Sequence, residues 1–350
     1  MSGKRRTRVA ARIAVIALAC TTLAALVETA ALAAPVCVRD GDVLRISLSD
    51  ARPQAYLQRV GGDIRWGPYG DPDRNPCIGN PTVHNIDRVR VSDRTEFGSG
   101  FGLFLSGGPF EPGRTDEGDG SSEIEFVYDA GPGHDVFVVE GGPGRDHLVC
   151  GRRGVNLGPD GDTDVVLLGA RVGLAGGAGR DVLSGAGGHG TGRAHHRGVT
   201  LFGDDGDDRL IGTPHRDRVG GGEGWDVLRG GVGADTLDAD RGNDLIAGGR
   251  GRDSIQAGIG NDRSMGQAGP DSMNNDHGND TMSGGGGRDL LGGGEREDRL
   301  YGNRGADRLF GAEGDDFLSG HAGDDHLKGG DGSDECRGGE GDDTTPECES

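Results

Sequence analysis

The chain has 350 residues, 73 of them glycine and only 4% aromatic, a composition that excludes a conventional globular core of this length. Its formal net charge of −21 argues against nucleic acid or an anionic membrane surface as partner, since both require basic faces. Such a polyanion suits a scaffold loaded with cations.

The first predicted element is an export signal. Lys4, Arg5, Arg6, Arg8 and Arg12 precede an apolar run from Ile13 to Val27, and Ala31-Leu32-Ala33 fits a small-x-small cleavage site. Residues 1–33 read as a signal peptide, with the mature chain beginning near Ala34. The run is too short and alanine-rich for a permanent transmembrane helix, and no later segment is apolar enough to span a bilayer. The expected location is extracellular, without membrane insertion.

Residues 34–122 differ in composition. Alternating runs predict strands at Val43–Leu48, Arg88–Val91 and Phe101–Leu105, separated by stretches rich in Pro and Gly. They are expected to form a small β cap over the open end of a repeat array in the C-terminal part of the chain. Asp63, Asp71 and Asp73 are the carboxylates a catalytic reading would use, but turn chemistry explains them better. After cleavage Cys37, Cys77, Cys150, Cys336 and Cys348 remain. An oxidising compartment permits disulfides, and the economical pairing is Cys37–Cys77 with Cys336–Cys348. Sequence alone does not fix the connectivity, and the odd count also allows an intermolecular bridge.

Residues 123–202 are transitional. Strands predicted at Glu123–Tyr128 and Val136–Val139 flank a degenerate turn ending at Asp135. Gly141–Val149, with Asp146, and Gly176–Ser184, with Asp181, are complete nine-residue units of the kind that fills the C-terminal array. Leu174 and Leu201 keep the apolar position while several turn aspartates are lost, so the architecture is expected to continue with few metal sites. His189, His195 and His196 share one loop. A solvated insertion explains them better than a transition-metal site, because no spaced fourth ligand is evident.

From Gly203 to Pro346 the chain keeps a nine-residue clock through sixteen units reading G-G-x-G-x-D-x-U-x, where U is bulky and apolar. Gly230–Asp238 is a well-preserved copy. The sixth position is Asp in all sixteen, and the fourth is Gly except at His215 and Arg296. The eighth is Leu, Ile, Val or Met except at Ser264, Cys336 and Thr345. Glycines let the backbone reach positive φ and expose its carbonyls. Those carbonyls and the Asp carboxylate supply the hard oxygens that Ca²⁺ prefers. The three residues around U form a strand with one side chain inward and two outward. Turn, strand, turn, strand makes a coil of eighteen residues that stacks on the next. One bulky side chain per nine residues buries too little to offset the ordering of glycine-rich backbone, so cations are expected to act as folding ligands.

These units resemble the repeats-in-toxin, or haemolysin-type, calcium-binding nonapeptides. The resemblance implies an all-β fold, a right-handed parallel β-roll (a β-solenoid), here with the small N-terminal cap. It implies multiple Ca²⁺ ions, each shared between successive turns on one side. Carried onto this chain, the ligating role falls on Asp146, Asp181, Asp208, Asp217, Asp226, Asp235, Asp244, Asp253, Asp262, Asp271, Asp280, Asp289, Asp298, Asp307, Asp316, Asp325, Asp334 and Asp343. Residues 347–350 are left as a C-terminal tail.

Alternate units face opposite sides, which gives two columns of turns. In the column of Asp208, Asp244, Asp262, Asp280 and Asp316 the fifth position is mostly acidic or Asn. In the other it includes Arg216, Arg252 and Arg288. A cation beside Arg loses Coulomb energy, so the first column is expected to fill first. A blander reading has the fifth position point to water and matter little. Neither H-E-x-x-H nor G-x-S-x-G occurs. The expected function is non-enzymatic: a secreted calcium binder that folds cooperatively with Ca²⁺. The alternative is a calcium-stiffened cell-surface adhesin or matrix component with an unknown partner.

Overall fold

The computed structural model describes residues 170–348 apart from 188–190, 192 and 346. Before them it describes the strand segments between 36 and 168, together with residues 141 and 146. The expected signal peptide, Asp71, Asp73, Cys77 and Asp135 lie outside the described residues. All regular elements described are strands. Two units separate by their contacts: residues 1–143, 150–175 and 188–193 form one, and residues 144–149, 176–187 and 194–350 form the other.

The second unit is a parallel β-roll. Every strand pairs in parallel with the strand one coil away. One sheet brings Leu183, Leu210, Leu228, Ile246, Ser264, Met282, Leu300, Leu318 and Cys336 into register. The other brings together Leu201, Val219, Leu237, Ile255, Met273, Leu291, Leu309 and Leu327. These are the eighth positions, and from Leu210 to Leu327 all are buried. Parallel pairing at an offset of eighteen makes like sit on like, so each sheet contributes one inward stack of aliphatic side chains. In Arg299–Arg304 the burial alternates, with Leu300 and Gly302 inside and Arg299, Tyr301 and Asn303 turned outward.

Glycine at the fourth position has a steric reason. Gly251 has φ +144°, and a Cβ there would collide with the carbonyl oxygen of Gly233 one coil below. The second position also takes positive φ, except at Thr213, and elsewhere residues other than glycine adopt it: Asp204, Asp240, Gln267, Asp276, Asn303, Ala312 and His321. Each such residue costs about 1–2 kcal/mol relative to ordinary backbone.

The transition departs from the expected even continuation. Asp181 and Asp208 are three units apart, which would place them in opposite columns if every unit made half a coil. Instead Val182–Ser184 pairs directly with Arg209–Ile211. The backbone N–H of Asp181 donates to Oδ1 of Asp208 at 2.7 Å. One unit's length of chain leaves the coil between Ser184 and Thr200. His195 sits in that excursion and is buried, not solvated as expected of the insertion. Its backbone N–H donates to Gly185, its Nδ1 lies 3.1 Å from the Arg197 carbonyl, and its ring is 4.7 Å from that of His196. Burial lowers its pKa. His189 lies outside the described residues.

In the first unit the predicted strands form over Val43–Leu48, Arg88–Asp93 and Gly100–Phe104. Val43–Leu48, Arg88–Asp93, Glu125–Asp129 and Val165–Leu168 pair successively in parallel. Gln54–Val60, Gly100–Phe104, Val136–Glu140 and the strand from Arg171 do likewise. Parallel stacking thus begins at Val43, well before the nine-residue clock. Antiparallel hairpins join Val36–Asp40 to Val43–Leu48 and Gln54–Val60 to Asp63–Gly67. Phe101 and Phe137 stack at 6.2 Å between ring centroids, with Leu103 and Val139 also buried.

Candidate metal centre

The sixth-position aspartates form two continuous columns. In each, Oδ1 accepts the backbone N–H of the aspartate one coil earlier. Asp226 accepts from Asp208 at 2.8 Å, and Asp244 from Asp226 at 2.7 Å. In the other column Asp235 accepts from Asp217 at 2.8 Å, and Asp253 from Asp235 at 2.9 Å. The first column extends back through Asp181 to Asp146, whose N–H donates to Oδ1 of Asp181. The columns end at Asp334 and Asp343, bonded to Asp316 and Asp325.

The second carboxylate oxygen is the chemically telling atom. In fourteen of these residues, from Asp181 to Asp325, Oδ2 is buried without a hydrogen-bond partner. An unsatisfied buried acceptor costs about 1–3 kcal/mol, and more when charged. The acids respond as burial demands. Asp181, Asp208, Asp226, Asp235, Asp244, Asp271 and Asp280 are pushed up to about 7, and Asp298 to about 8. Desolvation is the main cause, and charged neighbours in the same column add to it.

First-position glycine brings a second oxygen to this atom. A Cβ on Gly230 would lie 2.6 Å from Oδ2 of Asp235 and 2.6 Å from the carbonyl oxygen of Gly248, one coil on. The bare α-carbon lets carboxylate and carbonyl converge from two coils. Among the described residues no group of three or more His, Cys, Asp or Glu side chains gathers. A cation beside Gly230 would meet the Asp235 carboxylate and the Gly248 carbonyl oxygen, the kind of donor set that Ca²⁺ takes.

A family model for the RTX calcium-binding nonapeptide repeat, in four copies, matches residues 174–191, 200–224, 220–255, 256–291, 292–327 and 310–345. The array belongs to the RTX calcium-binding nonapeptide repeat family. No curated protein matches the chain. The RTX matches pause between 191 and 200, within the excursion that carries His195.

Within the RTX array Asp217 is set apart from the other predicted ligands. The Thr213 N–H donates to its Oδ2 at 2.5 Å, and the Thr213 hydroxyl lies 2.9 Å from Oδ1 and 3.1 Å from Oδ2. This turn satisfies its own carboxylate. The sequence signal was the loss of fourth-position glycine at His215, but it did not reveal Thr213 as the substitute donor. Nor did the sequence reveal that Ser264, at an inward eighth position, donates to Oδ1 of buried Asn275 at 2.9 Å.

The fifth position does not simply point to water. Asn243 accepts the N–H of Asn261 at 2.7 Å, and Asn261 that of Asn279 at 2.8 Å, which braces three successive turns of the first column. In the second column Arg216 Nε donates to the Ala234 carbonyl at 3.1 Å, bringing positive charge to the turn.

Proposed function

We propose that this chain is a secreted calcium-binding protein whose β-roll folds as its turns cooperatively take up several Ca²⁺ ions. The observation that carries the reading is the row of buried Oδ2 atoms without partners. At most of these turns, as at Gly230, a first-position glycine admits a carbonyl from the next coil, while Ala239, Ala257 and Asn275 hold that position in the turns of Asp244, Asp262 and Asp280. Asp181, Asp208, Asp226 and their successors through Asp325 would hold the ions. Asp334, beside Gly329, joins them, and Asp217 stays metal-free. Calcium supplies positive charge to carboxylates that otherwise have only a proton to neutralise them. The chain's part is to fix the Oδ1 atoms through the column hydrogen bonds and to leave the Oδ2 atoms open. The first-column preference rests on the Asn braces and on Arg216 opposite. Signal-like residues 1–33 support export, and extracellular calcium reaches the range to which such modules are tuned.

The test is a Ca²⁺ titration of metal-free protein followed by far-ultraviolet circular dichroism, with Mg²⁺ as control. A steep gain of β signal specific to calcium is expected. A spectrum that stays coil in millimolar calcium would sink the reading. The adhesin alternative draws on an outward cluster in which Tyr301 lies 5.8 Å from Phe317 and 6.2 Å from His321, with Arg337 over Phe317 at 5.1 Å. Cell fractionation with glycan pull-down separates it from a free binder.

A further inference from the structure

We propose that the Cys336–Cys348 disulfide completes the last cation cradle of the first column, so that occupancy there depends on oxidation. The proposal rests on the calcium-binding function proposed for the array. In the regular turns the cradle takes its carboxylate from one coil and its carbonyl from a first-position residue eighteen residues on, as with Asp235 and Gly248 at Gly230. At Gly329 the carboxylate is Asp334, but the carbonyl presented beside it belongs to Glu347. Glu347 lies in Thr344-Thr345-Pro346-Glu347-Cys348, which has no glycine turn of its own to hold it in place.

What holds that carbonyl is a short set of links. Leu327 N–H donates to the Thr344 carbonyl at 2.8 Å, and Gly330 N–H reaches the Glu347 carbonyl only at 3.4 Å. Lys328 Nζ and Glu347 Oε2 pair at 3.0 Å, but both side chains are about half exposed, and such pairs contribute little. The covalent link is the strong one. Cys336 occupies an eighth position in register with Leu318, where most units carry an aliphatic side chain. Its disulfide to Cys348 closes a span of 12 residues and fixes the neighbour of Glu347. Asp334 itself is buried, its Oδ1 bonded to Asp316 N–H.

Closure removes two electrons and two protons from the Cys336 and Cys348 thiols. An external disulfide accepts them by thiol–disulfide exchange and leaves as two thiols. Because coupling is reciprocal, calcium at this cradle must favour the disulfide as much as the disulfide favours calcium.

The experiment equilibrates the full chain in glutathione buffers across free Ca²⁺ set with calcium chloride and chelator. Thiols at Cys336 and Cys348 are trapped by alkylation and counted by peptide mass spectrometry, and circular dichroism is read on the same samples. The oxidised-to-reduced ratio should rise with free Ca²⁺, approaching about tenfold per tenfold where the oxidised form is loaded and the reduced form empty, the ceiling that one linked ion sets. Asp334→Asn should flatten that dependence, whereas Asp226→Asn, far up the same column, should lose its own ion and keep the slope. A ratio indifferent to calcium, in samples that fold with calcium, overturns the redox proposal alone. Equal flattening by both variants also overturns it, because the disulfide would then report folding of the whole roll. Absence of any calcium-driven β signal overturns the calcium reading and this proposal with it.

Discussion

Acid should fold this protein when metal cannot. An unfolded aspartate titrates near 3.9, whereas Asp181, Asp208, Asp226, Asp235, Asp244, Asp271 and Asp280 are pushed up to about 7 in the fold. Asp298 is raised to about 8, and Asp307 and Asp316 to about 6. The folded roll therefore binds protons that the coil has released. Its metal-free stability is fully present below about pH 4 and falls as pH rises toward 7 and 8. A carboxyl titrating near 7 rather than 3.9 carries at most about 4 kcal/mol of penalty when charged. A quarter of that over these ten neighbouring groups is still on the order of 10 kcal/mol, the size of a whole domain's stability. The assay is far-ultraviolet circular dichroism of metal-stripped protein from pH 8 to pH 4, with light scattering to confirm a monomer. We expect coil at pH 8 and β structure by pH 5. With saturating Ca²⁺ the β signal should persist at both, and the calcium midpoint should rise as pH falls. A metal-free chain that is equally coil at pH 5 and pH 8, or already β-rich at pH 8, refutes the reasoning.

The columns should be unequal: Asp244→Ala is expected to weaken calcium binding more than Asp253→Ala in parallel calorimetric titrations, and equal losses would count against the asymmetry. Thr213→Val should lower stability at saturating calcium by about 1–3 kcal/mol, because Asp217 loses a buried hydroxyl partner, while Thr213→Ser should recover most of it in thermal unfolding. Ser264→Leu and Asn275→Gly should each destabilise by about 1–3 kcal/mol, the first by crowding the core and the second by orphaning the Ser264 hydroxyl. The double variant restores the repeat pattern at both positions. Its coupling energy should exceed about 1 kcal/mol in a denaturant-unfolding cycle, and simple additivity would deny that the two residues form one unit.

The repeat region was legible because its physics is periodic. Leu228, Ile246 and Met282 lie in one inward stack since parallel pairing at an offset of eighteen makes like meet like. What escaped was information that a period does not contain. A spacing of 27 between Asp181 and Asp208 fits a coil and a half as well as one coil with a unit looped out, and only the pairing of Leu183 with Leu210 decides. The parallel stacking of Val43–Leu48 on Arg88–Asp93 spans a long, irregular interval with no repeat to announce it. Thr213 escaped for a different reason: a hydroxyl that bonds its own turn's carboxylate looks, in sequence, like any other turn residue.

The two oxygens of most turn aspartates carry separate duties, one in stacking and the other in the calcium dependence proposed above. Oδ1 is engaged by the coil before it, as when Asp262 accepts from Asp244 at 2.7 Å. That bond fixes the register of one coil on the next whatever the solution holds. Oδ2 is the remainder, and at most turns, as in that of Asp235 beside Gly230, it faces a space from which glycine has removed the Cβ. Had a Thr213-like donor stood in every turn, the columns would be satisfied internally and the roll would fold without regard to calcium. Among the described turns Thr213 serves Asp217 in this way, while fourteen aspartates leave Oδ2 buried and unpartnered; the calcium dependence we propose is then a property of the repeat itself. Placing such a donor in further turns, by Gly231→Thr or Gly249→Thr, should then lower the calcium requirement only where the new side chain tolerates positive φ. Both glycines lie at φ above +100°, so these variants should instead lose stability at every calcium concentration. If either folds at lower calcium than the parent, the steric account of the second position is wrong.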